Sequence, residues 1–260
     1  MIARIAGRLL CCWTMLALAV PAFAQGVYTE GTTSGGPLGD RTVLSKTYMM
    51  PKMYRHESGT GEVAIIRLDK EILYTLNPAD KTYAEITFTE MQEVMKKAGA
   101  RMDSDMAGLQ EKMKDMPQGQ RDMMEKMMAG RMPGKGKEAT IDVKATGEKK
   151  VISGYACSKY VATQDGKEFI TVWATRDVKE FESIKKDWEA FTDRMMSMNP
   201  INGKAMVQAF KKMDGFPIQT ETSGITMIVT KVEKRATPVS QFEVPPGYTK
   251  TESPLKSMKD

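Results

Sequence analysis

The chain has 260 residues, 38 Lys and Arg against 33 Asp and Glu, and a formal charge of +5, too small a surplus to argue for nucleic acid or an anionic membrane as partner. Hydrophobic residues make up 41% and charged residues 27%, the composition of a globular protein long enough to bury a core. The only His is His56, and Cys11 and Cys12 lie in an N-terminal apolar stretch that leaves Cys157 alone, which excludes zinc fingers, multi-histidine metal sites and an internal disulfide.

In chain order, Arg4 and Arg8 precede the stretch Leu9 to Val20, and Ala22 and Ala24 then form an A-x-A pattern. This is the layout of a signal peptide, residues 1–24, cleaved after Ala24. Twelve residues fall short of the roughly 20 that span a bilayer, so the expectation is export to the periplasm. Losing Arg4 and Arg8 leaves 36 basic residues against 33 acidic. Segment 25–40 is rich in Gly, Ser and Thr and reads as a flexible lead-in or edge strand before a single domain over 41–250, with 251–260 as a tail.

Turn chemistry at Ser58-Gly59-Thr60-Gly61, Asp69-Lys70 and Asn77-Pro78-Ala79-Asp80 separates candidate strands over 42–50, 52–57, 62–68, 71–76 and 81–88. Such brief connections favour an antiparallel meander. Thr89 to Gln92 matches a capping box, so a helix is predicted over 90–116, the start of a Met-rich helical insertion at 90–132. Met95, Met102, Leu109, Met116 and Met123 recur every seven residues, with Met106, Met113 and Met127 four positions after members of that series. Pro117 and Gly119 should divide the insertion into two helices, because proline lacks the amide and clashes with the preceding turn.

A second meander is predicted over 139–146, 149–152, 155–163 and 167–175, with Asp165-Gly166 as a hairpin turn. Asp177 should cap a helix whose apolar positions Phe181, Ile184, Trp188, Phe191, Met195 and Met198 step by three and four. A shorter helix over 202–213, strands over 217–222 and 225–232 and an extended tail over 242–248 complete the pattern. The expected fold is α+β, a curved antiparallel sheet in the form of an incomplete β-barrel, covered by helices on its concave side.

Methionine is over-represented: beyond the leader there are 21 Met against 7 Leu, and eleven of the Met lie between Met91 and Met132. Unbranched thioether chains fill irregular gaps, so one reading is plain packing of helix on sheet. Another is a deformable apolar surface that accepts ligands of varied shape. A third is copper(I), which soft thioethers favour, at Met123, Met124, Met127 and Met128 one helical turn apart. Cys157 lies in a candidate strand as a buried thiol, with Lys159 two residues on able to share its face and lower its pKa.

The runs Lys52 to Arg55, Ile65 to Asp69, Leu73 to Pro78 and Lys81 to Tyr83, with Gly154-Tyr155-Ala156-Cys157-Ser158-Lys159-Tyr160, resemble a bacterial family catalogued as domain of unknown function 4412, over about residues 42–175. The same runs are similar, more weakly, to the periplasmic lipoprotein-carrier superfamily, and Ser240 to Tyr248 resembles the final strand of its members. That resemblance implies an incomplete barrel closed by helices around a cavity for acyl chains. The long Met-rich insertion departs from the carrier pattern.

The first functional expectation is therefore a non-enzymatic periplasmic protein that binds a lipid, a lipoprotein acyl chain or another apolar ligand without a cofactor. Its site residues would be Met95, Met102, Met106, Leu109, Met113, Phe181 and Trp188. The second is copper(I) or redox handling by Met123, Met124, Met127 and Met128, with Cys157 as a further redox candidate. The third is a structural or interaction module whose Met-rich helices dock on another protein. Neither a nucleic-acid partner nor a transmembrane segment beyond the leader is expected.

Overall fold

The computed structural model describes residues 23–114, 116–121, 123, 140–197, 207–208 and 211–256. Its elements run β1 (Phe23–Gly35), β2 (Thr42–Met50), β3 (Met53–Ser58), β4 (Val63–Arg67), β5 (Ile72–Asn77), β6 (Thr82–Thr87), α1 (Phe88–Lys114), β7 (Ile141–Ile152), β8 (Tyr155–Gln164) and β9 (Lys167–Thr175). After these come α2 (Lys185–Ser197), β10 (Phe216–Thr222), β11 (Ile225–Pro238) and β12 (Thr249–Lys250).

The twelve strands among the described residues join one open sheet in the order β12-β6-β5-β4-β3-β2-β1-β11-β10-β9-β8-β7. Every pairing is antiparallel except the short β6–β12 edge. Two-residue turns with positive φ, such as Ser153-Gly154 and Asp165-Gly166, close successive hairpins, because that backbone twist matches the right-handed twist of the strands. Register shifts in β1–β11, β7–β8, β8–β9 and β9–β10 add bends, so the sheet curves. The fold is α+β, as expected.

Segment 25–40 departs from its expected role. It is no loose lead-in: β1 lies at the middle of the sheet, between β2 and β11, with Val27, Tyr28 and Thr29 buried. Its glycines serve close approach; a Cβ on Gly26 would stand 2.6 Å from the Met49 carbonyl oxygen and 2.9 Å from Met50 Cγ. Residues 141–152, expected to fall in two strands, form the single strand β7 with an irregularity between Ala145 and Lys149, where Gly147 takes φ 84°. α1 starts earlier than the Thr89 capping box suggests. Thr87 Oγ1 accepts the Glu90 amide at 3.1 Å, a T-x-x-E cap two residues upstream, and Phe88 is thereby buried. The break at Pro117 is present, with Arg121 N–H bonded to the Pro117 carbonyl at 3.0 Å.

Side chains alternate between two faces. The inner face carries the main core: Val27, Met49, Tyr54, Cys157, Trp173, Phe216 and Ile218, capped by Val178, Phe181 and Ile184 from the approach to α2. The outer face carries two smaller clusters. One joins Met50, Val63, Ile65 and Leu76 to Phe242; the other joins Val143 and Ala162 to Tyr160, Phe169 and Met213. Residues 240–248 are not a final strand. They form a strap across the outer face, with Phe242 fully buried in a 3-10 turn, and only Thr249–Lys250 pair with β6. The buried guanidinium of Arg67 fastens this strap. It donates to Asp69 at 2.7 and 2.8 Å, to Glu243, and to the Phe242 carbonyl at 3.4 Å.

Candidate functional site

Two adjacent cross-strand rows on the inner face differ sharply in side-chain size. Register pairs Met49 with Tyr54, Tyr54 with Ile66, Ile66 with Leu73 and Leu73 with Ile86, a row of large apolar side chains across β2 to β6. Two positions along each strand, Thr47, His56, Ala64, Thr75 and Ala84 pair in the same way, a row of small or polar side chains on the same face. At about 3.3 Å per residue, the rows stand roughly 7 Å apart. Short side chains beside tall ones leave a trough. A volume of about 900 Å³ lies over His56, Ala64, Thr75 and Ala84, walled by the Ser58–Glu62 and Asn77–Ala79 turns and by Thr251.

The row of large side chains is only partly covered. Tyr54, Met49 and Ile86 are buried, whereas Ile66 and Leu73 are half-buried on a face that carries helices. Tyr54 stacks on Phe191 of α2 at 5.0 Å between ring centroids and meets Trp188 edge-on at 5.6 Å; Phe181 meets Trp188 at 6.4 Å and Phe216 at 4.9 Å. Within this aromatic group the Tyr54 hydroxyl is buried and has no hydrogen-bond partner among the described residues. Burial, with the Asp187 carboxylate nearby, pushes its pKa far up, so it remains a neutral donor.

His56 opens into the trough, with Nδ1 3.0 Å from Thr47 Oγ1. Water reaches the ring, yet the enclosing protein still disfavours the imidazolium and holds its pKa below the usual 6.5. Among the described residues no group of three or more His, Cys, Asp or Glu is placed to hold a metal ion.

The expected site residues do not come together as one lining. Phe181 and Trp188 join the inner-face aromatic group. On α1, Met113 is buried, Met106 and Leu109 are half-buried and Met95 is 41% exposed, and none of them belongs to that group among the described residues. The side chain of Met102 lies outside the described residues, as do Met124, Met127 and Met128 of the copper set, whereas Met123 is exposed. The residues that sequence reasoning missed are Tyr54 and the trough row.

Cys157 is buried, and its thiol donates to the Tyr155 carbonyl at 3.4 Å. Burial pushes its pKa up and Asp177 adds to the rise, against a backbone hydrogen bond with Ile152 and a weaker pull from Lys150. Lys159 does share the face, but its ammonium pairs with Glu148 at 2.9 Å and lies over the Trp173 ring, so it does not activate the thiol. The Gly154 to Tyr160 element has a packing rationale: a hairpin turn, Tyr155 against the core, Cys157 within it, and Tyr160 donating to the Asp214 carbonyl at 3.5 Å on the outer face.

Comparison with known families gives one finding. Residues 89–248 match the family described as Domain of unknown function (DUF4412). The matched span holds α1, the Cys157 element, Phe181, Trp188 and the strap, while β1 to β6 and the trough row precede it. No curated protein matches the chain.

Proposed function

We propose, for a chain that belongs to the DUF4412 family, the role of an exported, non-enzymatic binding protein that holds an apolar-tailed ligand on the inner face of its curved sheet. One observation carries this reading: a trough of about 900 Å³ adjoins an incompletely covered row of large apolar side chains, Ile66 and Leu73 among them. Ligand sites of about 300–1,000 Å³ that combine apolar walls with a few polar groups are the usual geometry for small-molecule binding. Covering the exposed part of Ile66 and Leu73 beneath a chain is favourable by roughly 25 cal/mol per Å² of apolar area covered.

Met95, Met106 and Leu109 present adaptable, partly exposed side chains along α1, suited to closing over chains of different length. Export rests on Arg4 and Arg8, the Leu9 to Val20 stretch and the Ala22–Ala24 pattern. Cleavage after Ala24 keeps Gln25–Gly35 of β1, including buried Val27 and Tyr28, so processing and the central strand are compatible.

The test is solvent extraction of protein purified from its native host, followed by mass spectrometry and N-terminal sequencing. The expected result is a co-purifying acyl-chain lipid and an N-terminus at Gln25. Protein that carries no lipid and binds no added apolar probe would contradict the reading.

A further inference from the structure

We infer that the polar end of the ligand is uncharged and hydrogen-bonding, a glycerol- or amide-type head, and that it occupies the trough over His56, Ala64, Thr75 and Ala84. This rests on the proposed binding of an apolar-tailed ligand and names its chemical class.

The charge of the trough carries the inference. Its described lining presents the hydroxyls of Thr75 and Thr82, the Ser58–Thr60 hydroxyl pair and the acceptor side of Thr251, which donates to the Tyr83 carbonyl, with no Lys or Arg, while the Asn77 amide is engaged in its own turn with Ala79 and Asp80. The single carboxylate is Glu62, exposed at the rim. The one group that could become cationic, His56, is held toward its neutral form. A phosphate or carboxylate head would lose its hydration without gaining a counter-charge, which is costly in a walled site. It would also face Glu62. An ammonium head would find only that one carboxylate, screened by solvent. Hydroxyl and amide heads exchange water for the trough's hydroxyls at little net cost.

The position fits as well. The small row is two residues along the strands from the row of Tyr54, Ile66 and Leu73. A head over Thr75 therefore leaves its chain directed along the half-covered apolar row.

The experiment compares three probes that share an oleoyl chain, each below its critical micelle concentration at pH 7.5 and low salt, by calorimetric titration of the full mature chain. They are 1-monooleoylglycerol, oleoyl lysophosphatidylglycerol and oleoylcholine. The expected order has monooleoylglycerol tighter than either charged probe by about tenfold or more, a 1.4 kcal/mol difference. In Glu62→Gln, an exposed substitution at the rim, the anionic probe should gain affinity several-fold relative to monooleoylglycerol. Thr75→Val, which keeps the shape and removes the hydroxyl, should weaken monooleoylglycerol several-fold. Equal or tighter binding of a charged probe overturns the uncharged-head assignment while leaving apolar-ligand binding intact. Failure of all three probes to bind overturns both.

Discussion

At the scale of single residues, the buried hydroxyl of Tyr54 makes an unusual prediction. A buried donor without a partner costs roughly 1–3 kcal/mol, so Tyr54→Phe should leave the ligand-free protein more stable, by about 1 kcal/mol in urea denaturation. A loss of stability instead would reveal a partner for that oxygen. Gly26 points the other way. With the Met49 carbonyl 2.6 Å from any added Cβ, and with backbone rather than a flexible chain in the way, Gly26→Ala should cost about 1–3 kcal/mol in the same assay. Cys157 adds a chemical prediction. Because burial raises its pKa, alkylation by iodoacetamide at pH 8 should be far slower in the folded protein than in urea; equal rates would contradict the buried assignment.

At the scale of elements, the strap depends on Arg67. Its side chain is 7% exposed and its guanidinium binds Asp69, Glu243 and the Phe242 carbonyl, so Arg67→Met should cost about 3 kcal/mol, at the lower end for breaking a buried ion pair because both carboxylates reach solvent. The hydrogen bond from Arg67 holds the Asp69 carboxyl below its ordinary 3.8. The folded state therefore binds that proton less readily than the unfolded chain does. The stabilisation is present above about pH 3.8 and is lost as pH falls through the lower folded value. Asp69→Asn should flatten that part of the acid-denaturation curve, measured by circular dichroism. His56 follows the same sign in a higher window: its stabilisation is complete above 6.5 and declines as pH falls below it. As the only imidazole in the chain, it can be titrated directly by NMR.

At the scale of the whole molecule, β1 is the bridge between two meanders. β2 to β6 lie on one side of it and β7 to β11 on the other, so deleting residues 25–35 should abolish the cooperative unfolding transition. Sequence pattern reached most of the elements because local turn chemistry and alternation are written into short segments: strands over 42–50 and 167–175 were legible to the residue. It failed for β1, whose Gly and Thr content suits a strand only because neighbouring backbones approach Gly26 closely. The trough was invisible for a related reason. His56, Ala64, Thr75 and Ala84 are unremarkable singly, and become a floor only once the register of four strands aligns them. Phe181 and Trp188 fit one apolar helix face in sequence, but the structure divides that stretch: Phe181 lies in a 3-10 helix, Lys179–Ser183, without a side-chain cap from Asp177, and Trp188 in α2, and only their packing on the sheet joins them.

The two tryptophans among the described residues, Trp173 and Trp188, belong to the inner-face cluster, which makes fluorescence a direct reporter of that surface. Bromine atoms along the acyl chain of a monoacylglycerol quench indole emission only at contact range. Titrating this probe into the protein, and into Trp188→Phe to isolate Trp173, should give saturable quenching that falls sharply when Trp188 is removed. Emission that is unaffected by the brominated chain in both proteins would contradict ligand binding on the inner face.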